Sequence, residues 1–178
     1  MWTFAKAQTR EDYLANLADE SDRDIAYDPD PIGRYNVAPG TKVLLLSERG
    51  EQLHLDPVLW CYAPRWWDKA PLINAHVETA ATSRMFQPLW QHGRAICFAD
   101  GWFEWKKKGD KKQPYFIHRE DGKPIFMTVF GSTPFERSDE AEGFLIGTSA
   151  ADKGLVDIHD HRPLILSPEA ARSGCARI

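Results

Sequence analysis

The sequence predicts an α+β fold: a single domain over residues 1–178, built mainly on an antiparallel, curved or barrel-like β-sheet with a few flanking helices. Short apolar and aromatic segments recur through the second half of the chain, separated by turn pairs such as Gly109-Asp110 and Asp121-Gly122. Helical spacing of apolar residues occurs in few places. The 178 residues are 43% hydrophobic and 27% charged without a break in composition, which favours one well-packed domain.

The predicted elements are, in order, a helix over roughly residues 10–19, a loop over 21–40, hairpin strands over 42–47 and 52–60, a second helix over 79–91, and strands over 95–98, 102–107, 114–118, 125–130, 144–148 and 163–166. The first helix begins at residues 9–12 (TRED), which resemble a capping box with Asp in place of Glu. Asp, Pro and Gly without periodicity indicate the loop.

The second helix carries apolar residues at helical spacing between Met85 and Trp90. Pro88 should break or kink it, and Gly93 suits a left-handed helix end. A further helix should start at Ser167 and Pro168, but few residues remain for it before the chain stops at Ile178. We therefore expect that the C-terminal part of the fold is missing.

Composition and charge exclude several classes of protein. With a formal net charge of -4, nothing global attracts nucleic acid or an anionic membrane, so any DNA site must be a local cleft. The cluster of Lys106, Lys107, Lys108, Lys111 and Lys112 is interpreted as a solvated hairpin tip, with a DNA-binding patch as the less favoured alternative.

The cysteines and the apolar segments indicate where the protein works. Cys61, Cys97 and Cys175 are unclustered and odd in number, which argues against a disulfide framework or a thiolate metal site. No window approaches the ~18 apolar residues of a membrane span. We expect a cytoplasmic monomer without a membrane anchor, cofactor or metal.

Glu104 is the first candidate for chemistry. It lies in residues 95–108 (AICFADGWFEWKKK), where aromatic neighbours crowd a strand that follows a turn at Asp100-Gly101. Burial of a carboxylate raises its pKa and makes it a candidate proton shuttle. The alternative is a carboxylate satisfied by a neighbouring Arg or by backbone amides.

Five segments extend the argument: residues 34–39 (RYNVAP), 60–67 (WCYAPRWW), 74–79 (NAHVET), 99–105 (ADGWFEW) and 159–163 (HDHRP). In this order and spacing they resemble bacterial members of the SRAP family, the SOS response-associated peptidases understood as sensors of abasic sites in single-stranded DNA. The resemblance covers roughly residues 4–172.

The resemblance implies a covalent chemistry. In the family, an N-terminal Cys exposed by removal of Met closes on the aldehyde of an abasic site as a thiazolidine ring, a DNA–protein crosslink. Glu104 would shuttle protons, Asn74 would orient the amine or sugar, and His159 would assist opening of the sugar ring. Asn74 could instead be an Asx-turn residue and His159 a strand-edge histidine. A metal at His159 and His161 is disfavoured because no third ligand is evident.

The same resemblance implies a DNA surface. Trp66 and Trp67 would provide a wedge or platform for bases, although core packing is the alternative and only one of the two is expected to contact DNA. Arg84 and Arg162 would contact phosphates in a narrow positive groove, unless they are surface residues without a partner. His76 is the remaining candidate for DNA binding.

The chain departs from the family pattern at its opening and at two arginines. The family opens Met-Cys-Gly-Arg-Phe and this chain opens Met1-Trp2-Thr3-Phe4, so the nucleophile is absent, and no internal Cys has the free α-amine that ring closure needs. His76 and His161 stand where the family has Arg, which should weaken phosphate binding.

Three functions follow: a covalent abasic-site sensor impaired in this chain, a non-covalent single-strand binder, and a cysteine peptidase acting on its own N-terminus. Glu104, Asn74 and His159 are predicted to share one pocket, because proton transfer needs hydrogen-bond reach to one reacting centre.

Overall fold

A computed structural model of the chain describes residues 3–8, 10–15, 26–27, 34–50, 52–132, 143–150 and 161–175. The strands within these ranges are β1 (Thr3–Lys6), β2 (Ala26–Tyr27), β3 (Arg34–Val37), β4 (Lys42–Arg49), β5 (Gln52–Leu59), β6 (Asn74–His76), β7 (Arg94–Ala99), β8 (Gly101–Lys108), β9 (Lys111–His118), β10 (Ile125–Gly131), β11 (Phe144–Ala150), β12 (His161–Pro163) and β13 (Ile165–Leu166). The helices are α1 (Arg10–Ala15), α2 (Val77–Ala80), α3 (Gln87–His92) and α4 (Pro168–Cys175).

These strands form two open sheets. The small sheet has the order β3-β1-β8-β9, and the large sheet has the order β12-β11-β10-β7-β4-β5-β2, with β13 on β10 and β6 on β11. Pairing is antiparallel except for β6 on β11 and β2 on β5. The predicted α+β class with a mainly antiparallel sheet and few helices is confirmed.

The main core lies between the two sheets. Phe4 and Trp102 of the small sheet pack with Leu45, Met127 and Ile146 of the large sheet in one buried cluster. Because side chains alternate between the faces of a strand, these contacts define which face of each sheet is turned toward the other. We call this space the inter-sheet region.

Helices cover the other face of the large sheet. Tyr13 of α1 and Ala171 of α4 are buried against Phe98 and Phe126. Further along, α2 and α3 pack on Phe130 and Leu145 through a separate cluster. Burial on both faces explains why β7 and β10 read as nearly continuous apolar runs.

A tight bend at Asp100 carries the chain from the large sheet to the small one. β7 ends at Ala99 and β8 begins at Gly101 in the other sheet. The Asp100 carboxylate accepts hydrogen bonds from the Ala7 amide at 2.6 Å and from the Tyr13 hydroxyl at 2.7 Å. A Cβ at Gly101 would overlap the carbonyl oxygen of Ile117, so this corner requires glycine.

The second predicted helix is wrong in detail. Instead of one helix over 79–91 that is broken or kinked at Pro88, there are two helices, α2 and α3, and the interruption between them lies at residues 81–86, before Pro88. Pro88 lies in the first turn of α3, where its missing N–H and fixed φ cost nothing. Gly93 has φ −116°, so it is not a left-handed helix end; a Cβ there would overlap the Gly131 carbonyl oxygen.

The loop predicted over 21–40 is wrong where the structure describes it, because β2 and β3 lie within it, and the strand predicted over 163–166 is divided between β12 and β13. β1 and β6 were not predicted. Several other predicted elements are present. The first helix is present over Arg10–Ala15, and residues 16–19 lie outside the described ranges. The hairpin of β4 and β5 turns at Gly50, which has φ +57°. The hairpin of β8 and β9 closes at Lys108 and Lys111 around Gly109-Asp110. The helix predicted from Ser167 is α4, with the Ser167 hydroxyl accepting the Ala170 amide at 3.2 Å.

Candidate functional site

Glu104 is buried on the face of β8 that is turned toward the large sheet. Its side chain is 3% exposed, and Oε1 accepts a hydrogen bond from the Trp102 indole N–H at 3.2 Å. Trp102 is part of the inter-sheet core, and residues two apart on a strand share a face, so Glu104 also faces the inter-sheet region. The carboxylate is therefore held in a water-poor setting with an aromatic donor beside it.

Tyr115 lies opposite Glu104 and was not identified from the sequence. The pair is set by the hairpin register, in which Glu104 opposes Tyr115 and Trp102 opposes Ile117. Tyr115 is 40% exposed and lies on the same face of the small sheet as Glu104, the face turned toward the inter-sheet region. The predicted turn at Gly109-Asp110 could have identified this pair. If Lys108 pairs with Lys111 at the turn, the fourth pair further along the hairpin is Glu104 with Tyr115.

β1 pairs with β8 next to Glu104. Thr3 pairs with Phe103 and Phe4 with Trp102 in the antiparallel ladder of β1 and β8. Thr3 is itself buried. The start of β1 is thus fixed next to the chain neighbour of Glu104, at the edge of the inter-sheet region.

β6 places Asn74 and His76 on the large sheet. β6 runs parallel to β11, with Asn74 opposite Ile146 and His76 opposite Thr148. Ile146 belongs to the inter-sheet core, so Asn74 and His76 border that region, while Ala75 between them is buried toward the helices. Asn74 begins a strand and is not a turn residue, which removes the Asx-turn alternative.

Glu104 and Asn74 therefore lie on sheet faces that are turned toward each other. Their sharing of one pocket with His159 stays a prediction, because His159 lies outside the described residues. His161, two residues after His159, is described. It begins β12, which pairs with β11 on the edge opposite to β6.

His76 and His161 form a close pair across β11. Their ring centroids are 4.2 Å apart, with the planes inclined at 48°. The Thr148 hydroxyl lies 3.3 Å from Nδ1 of His76 and also 3.3 Å from the Ala75 carbonyl oxygen. Each histidine was identified separately from the sequence. Their proximity depends on the parallel pairing of β6 with β11, which no nearby residue pattern predicts.

Glu78, at the start of α2, is a described carboxylate beside this histidine pair. Its Oε1 accepts the Ala150 amide at 3.3 Å. Hydrogen bonds from its own backbone amide and from Ala150, and then the charges of His76 and His161, lower the pKa of Glu78. These contacts favour the ionised form of the Glu78 carboxyl group.

The tryptophan pair lies on a loop that leads into β6. Tyr62 and Leu72 pair across the base of this loop, and the Trp60 indole N–H donates to the Ile73 carbonyl oxygen at 2.9 Å. Trp66 is 66% exposed and packs edge-to-face on Trp67 at 5.9 Å. Core packing is excluded for Trp66 within the part of the chain that the structure describes.

Trp67 is held more firmly. Its indole N–H donates to the Ala70 carbonyl oxygen at 2.9 Å, and the Lys69 ammonium lies 5.6 Å from its ring centroid. Trp67 thus supports the loop, and Trp66 presents an open ring to solvent. The expectation that only one of the two contacts DNA stays a prediction.

The two candidate arginines do not lie together on the inward face. Arg84 is exposed in the link between α2 and α3, whose helices pack on the other face of the large sheet. Arg162 pairs with Ser149 and, by alternation along β12, lies on the face opposite to His161. The narrow groove predicted for both arginines remains a prediction.

The thiols of Cys61 and Cys97 are unsuited to nucleophilic work at neutral pH. Burial raises the pKa of Cys97 to about 11 and also raises the pKa of Cys61. Among the described residues there is no group of three His, Cys, Asp or Glu side chains that could hold a metal ion, and none of the helices there could span a bilayer.

Comparison with known proteins agrees with the sequence motifs. The sequence model of the family "SOS response associated peptidase (SRAP)" matches residues 3–173. The abasic site processing protein YedK of Escherichia coli K12 is 82% identical over 169 residues, which cover 95% of this chain and 76% of YedK. The abasic site processing protein YoqW of Bacillus subtilis is 29% identical over 145 residues, covering 76% of this chain and 63% of YoqW.

A solved structure shares the architecture. The crystal structure of a phage-related protein from Bordetella bronchiseptica superposes with a TM-score of 0.82 at 32% identity, over 99% of this chain and 83% of that one. With the five motifs, the family match and the fold in accord, the chain belongs to the SRAP family of SOS response-associated peptidases.

Proposed function

We propose that this chain recognises abasic sites in single-stranded DNA and holds the lesion in the inter-sheet region, between Glu104 and Asn74. The support is the family membership, together with relatives that are named abasic site processing proteins. The observation that carries the proposal is the burial of Glu104 beside Trp102, on a face turned toward the strand that bears Asn74.

The proposed chemistry matches these residue types. The open form of an abasic site carries an aldehyde. An amine that adds to the aldehyde carbon gives a carbinolamine, which loses water to form an imine; a proton must reach the departing oxygen and another must leave the nitrogen. A buried carboxyl group such as Glu104 can do both in turn, and the Asn74 amide can orient the amine or the sugar hydroxyls.

The durable crosslink of the family needs one more group. There, the thiol of an N-terminal Cys adds to the imine carbon and closes a thiazolidine ring. At the matching position this chain has Trp2. We therefore propose binding of the lesion without a durable adduct, and at most a reversible imine with an amine of the protein.

Trp66 supplies the proposed contact to the flanking bases. An exposed ring held by a buried loop base can stack on any base, since every base has a π-face. Binding through this contact should therefore not depend on the DNA sequence.

A gel-shift assay tests the proposal. Single-stranded oligonucleotides with one abasic site and matched intact strands are incubated with the protein and run with and without denaturant. We expect a shift that favours the abasic strand and disappears on denaturation. Equal affinity for both strands, or no shift, contradicts abasic-site recognition; a shift that survives denaturant contradicts the non-covalent mode. Borohydride treatment before denaturation reveals any imine.

Variants locate the site. Glu104→Gln should abolish borohydride trapping, and Glu120→Gln, at an exposed carboxylate of the β9–β10 turn, should leave trapping and affinity unchanged. If both variants behave alike, Glu104 has no role in the chemistry.

A further inference from the structure

We propose that one face of the β8–β9 hairpin binds the DNA strand where it leaves the Glu104 site, through Lys106, Lys108 and Lys111. The inference rests on the proposed function and deepens it by giving the bound strand a direction of exit. It also assigns a role to three members of the lysine cluster at the hairpin tip, for which the sequence favours a solvated tip.

The hairpin register divides the lysine cluster between two faces. The ladder of β8 and β9 runs without a shift in register from the pair Gly101 and His118 to the pair Lys108 and Lys111. Because successive side chains of a strand alternate, the lysines on the same face as Glu104 are a set of three: Lys106, Lys108 and Lys111. The opposite face carries Lys107 paired with Lys112. We call these two sets the inward and the outward lysines.

The inter-sheet region opens to solvent where the inward lysines begin. On β8, Trp102 and Glu104 are 4% and 3% exposed, whereas Lys106 is exposed. On β9, Ile117 is half-buried and Tyr115 is 40% exposed. A DNA strand that leaves the Glu104 site past Tyr115 therefore meets the inward lysines next.

The spacing of the inward lysines suits a row of phosphates. Lys106 and Lys108 follow Glu104 by two and four residues on one strand, which corresponds to about 7 and 14 Å at ~3.4 Å per residue. Steps of this size are comparable with the length of one nucleotide in an extended strand. Successive inward lysines can therefore contact successive phosphates on one side of the lesion.

Charge favours a nucleic-acid backbone as the occupant of this face. Residues 106–113 carry five lysines and one aspartate, a local charge of +4 (5 − 1) on a chain whose formal net charge is −4. Lys108 and Lys111 are directly opposed, and like charges in this arrangement destabilise a hairpin. Phosphate groups would offset that repulsion, and their neutralisation by lysine releases counterions from the DNA.

Protection of a sheet edge is the alternative role for these lysines. β9 is the outermost strand of the small sheet in the described part of the chain, and lysines on an edge strand discourage pairing with other chains. That role does not distinguish the two faces of the hairpin. Binding of DNA at the exit from the Glu104 site requires the inward face, so a comparison of the faces separates the two roles.

Two double variants of equal charge make this comparison. Lys108→Gln/Lys111→Gln removes an opposed pair from the inward face, and Lys107→Gln/Lys112→Gln removes the neighbouring opposed pair from the outward face. The dissociation constant for intact single-stranded DNA is measured for the chain and both variants between about 50 and 200 mM salt.

We expect the inward variant to lose roughly 10- to 50-fold in affinity at about 50 mM salt. The slope of log affinity against log salt should become shallower by about 1.4, which is two phosphates at ~0.7 each for a single strand. The outward variant should keep the slope of the unaltered chain. Lys106→Gln alone should reduce the slope by about half as much as the inward pair does.

Equal losses in the two double variants would assign the effect to overall charge, and no loss in either would leave a solvated tip. Both results overturn the proposal. Urea denaturation establishes that the variants are folded. Since each variant removes an opposed pair of like charges at exposed positions, neither should lower the free energy of unfolding.

The position of the lesion in the strand tests the direction of exit. Oligonucleotides with an abasic site near the 5′ end or near the 3′ end extend from the site on one side only. The inward variant should bind one of them more weakly than the chain does and should bind the other equally well. A loss of affinity for both substrates overturns the proposed exit.

The two measurements also separate this inference from the proposed function. If the inward variant alone loses affinity for intact strands but the chain does not prefer abasic strands, only the proposed lesion recognition fails. If the chain prefers abasic strands and the inward and outward variants behave alike, only the role of the inward lysines fails.

Discussion

The indole N–H of Trp102 and the carboxylate of Glu104 form a hydrogen bond of 3.2 Å within one strand, on the side that faces the large sheet. Trp102→Phe removes this donor, so the buried Glu104 carboxylate loses one hydrogen bond. We expect a loss of about 1–3 kcal/mol in the free energy of unfolding. Urea denaturation measures it. In a cycle with Glu104→Gln, losses that add within ~0.5 kcal/mol would show that the two side chains are not coupled.

Trp66→Ala should weaken binding of single-stranded DNA by roughly 5- to 150-fold, because one stacked base is worth about 1–3 kcal/mol. Stability should not change, since the side chain is 66% exposed. Fluorescence anisotropy with a labelled oligonucleotide measures the effect. Phe116→Ala is the control: this ring is 42% exposed on the outward face of the small sheet, and its loss should leave affinity intact.

Rebuilding the opening of the chain should restore covalent capture. When residues 1–4 (MWTF) are replaced by Met-Cys-Gly-Arg-Phe, we expect a crosslink to abasic DNA that survives denaturing electrophoresis. Adding Glu104→Gln should slow its formation by about 10²- to 10⁴-fold, the usual size of a general acid–base contribution. A crosslink that forms equally fast without the carboxylate would contradict the assigned role.

Stability should decline in alkaline solution because of Cys97. Its pKa is raised from 9.0 to about 11 by burial, so above pH 9 the unfolded chain loses a proton that the folded chain retains. The contribution is complete below pH 9 and is lost as pH rises through about 11, by on the order of 3 kcal/mol.

Urea denaturation at pH 7, 9 and 10.5 gives this slope. Cys97→Ala should reduce it, at the cost of a small cavity. Tyr13→Phe is a necessary companion, because burial and then the hydrogen bond to Asp100 raise the pKa of Tyr13 as well. If the decrease in the free energy of unfolding above pH 9 were unchanged in both variants, other groups would be responsible for it.

Gly93→Ala should destabilise the fold severely, by more than about 3 kcal/mol, because the new Cβ would overlap the backbone carbonyl of Gly131. Gly109→Ala is the matched control. Gly109 has φ +62° with open space around it, so only the backbone penalty of about 1 kcal/mol applies. Thermal melting should rank the two in this order; equal losses would show that the contact at Gly93 relaxes easily.

Much of this architecture could be read from local signals. Turn chemistry at Gly109-Asp110 fixes the hairpin of β8 and β9, and with it the position of Tyr115 opposite Glu104. Aromatic crowding around Glu104 correctly indicated its burial. These features depend on residues close together in the sequence.

Long-range pairing could not be read in this way. The parallel register of β6 on β11 joins His76 to Thr148 and so creates the histidine pair, but nothing near His76 specifies that partner. Gly93 was misread for the same reason. Glycine is needed at position 93 because the backbone of Gly131, 38 residues away in sequence (131 − 93), lies too close to leave room for a Cβ atom. A helix end alone would have tolerated other residues.

The bend at Asp100 has a consequence for how the protein is made. Ala7 is bound by a carboxylate 93 residues further along the chain, and the strand that β1 meets on the Glu104 side, β8, is synthesised equally late. At about 5–20 residues per second, the first strand waits on the order of 5–20 s for β8 to be synthesised. The pairing of β1 with β8 beside Glu104 therefore forms late during translation, and until then that edge of β1 is unpaired and within reach of chaperones.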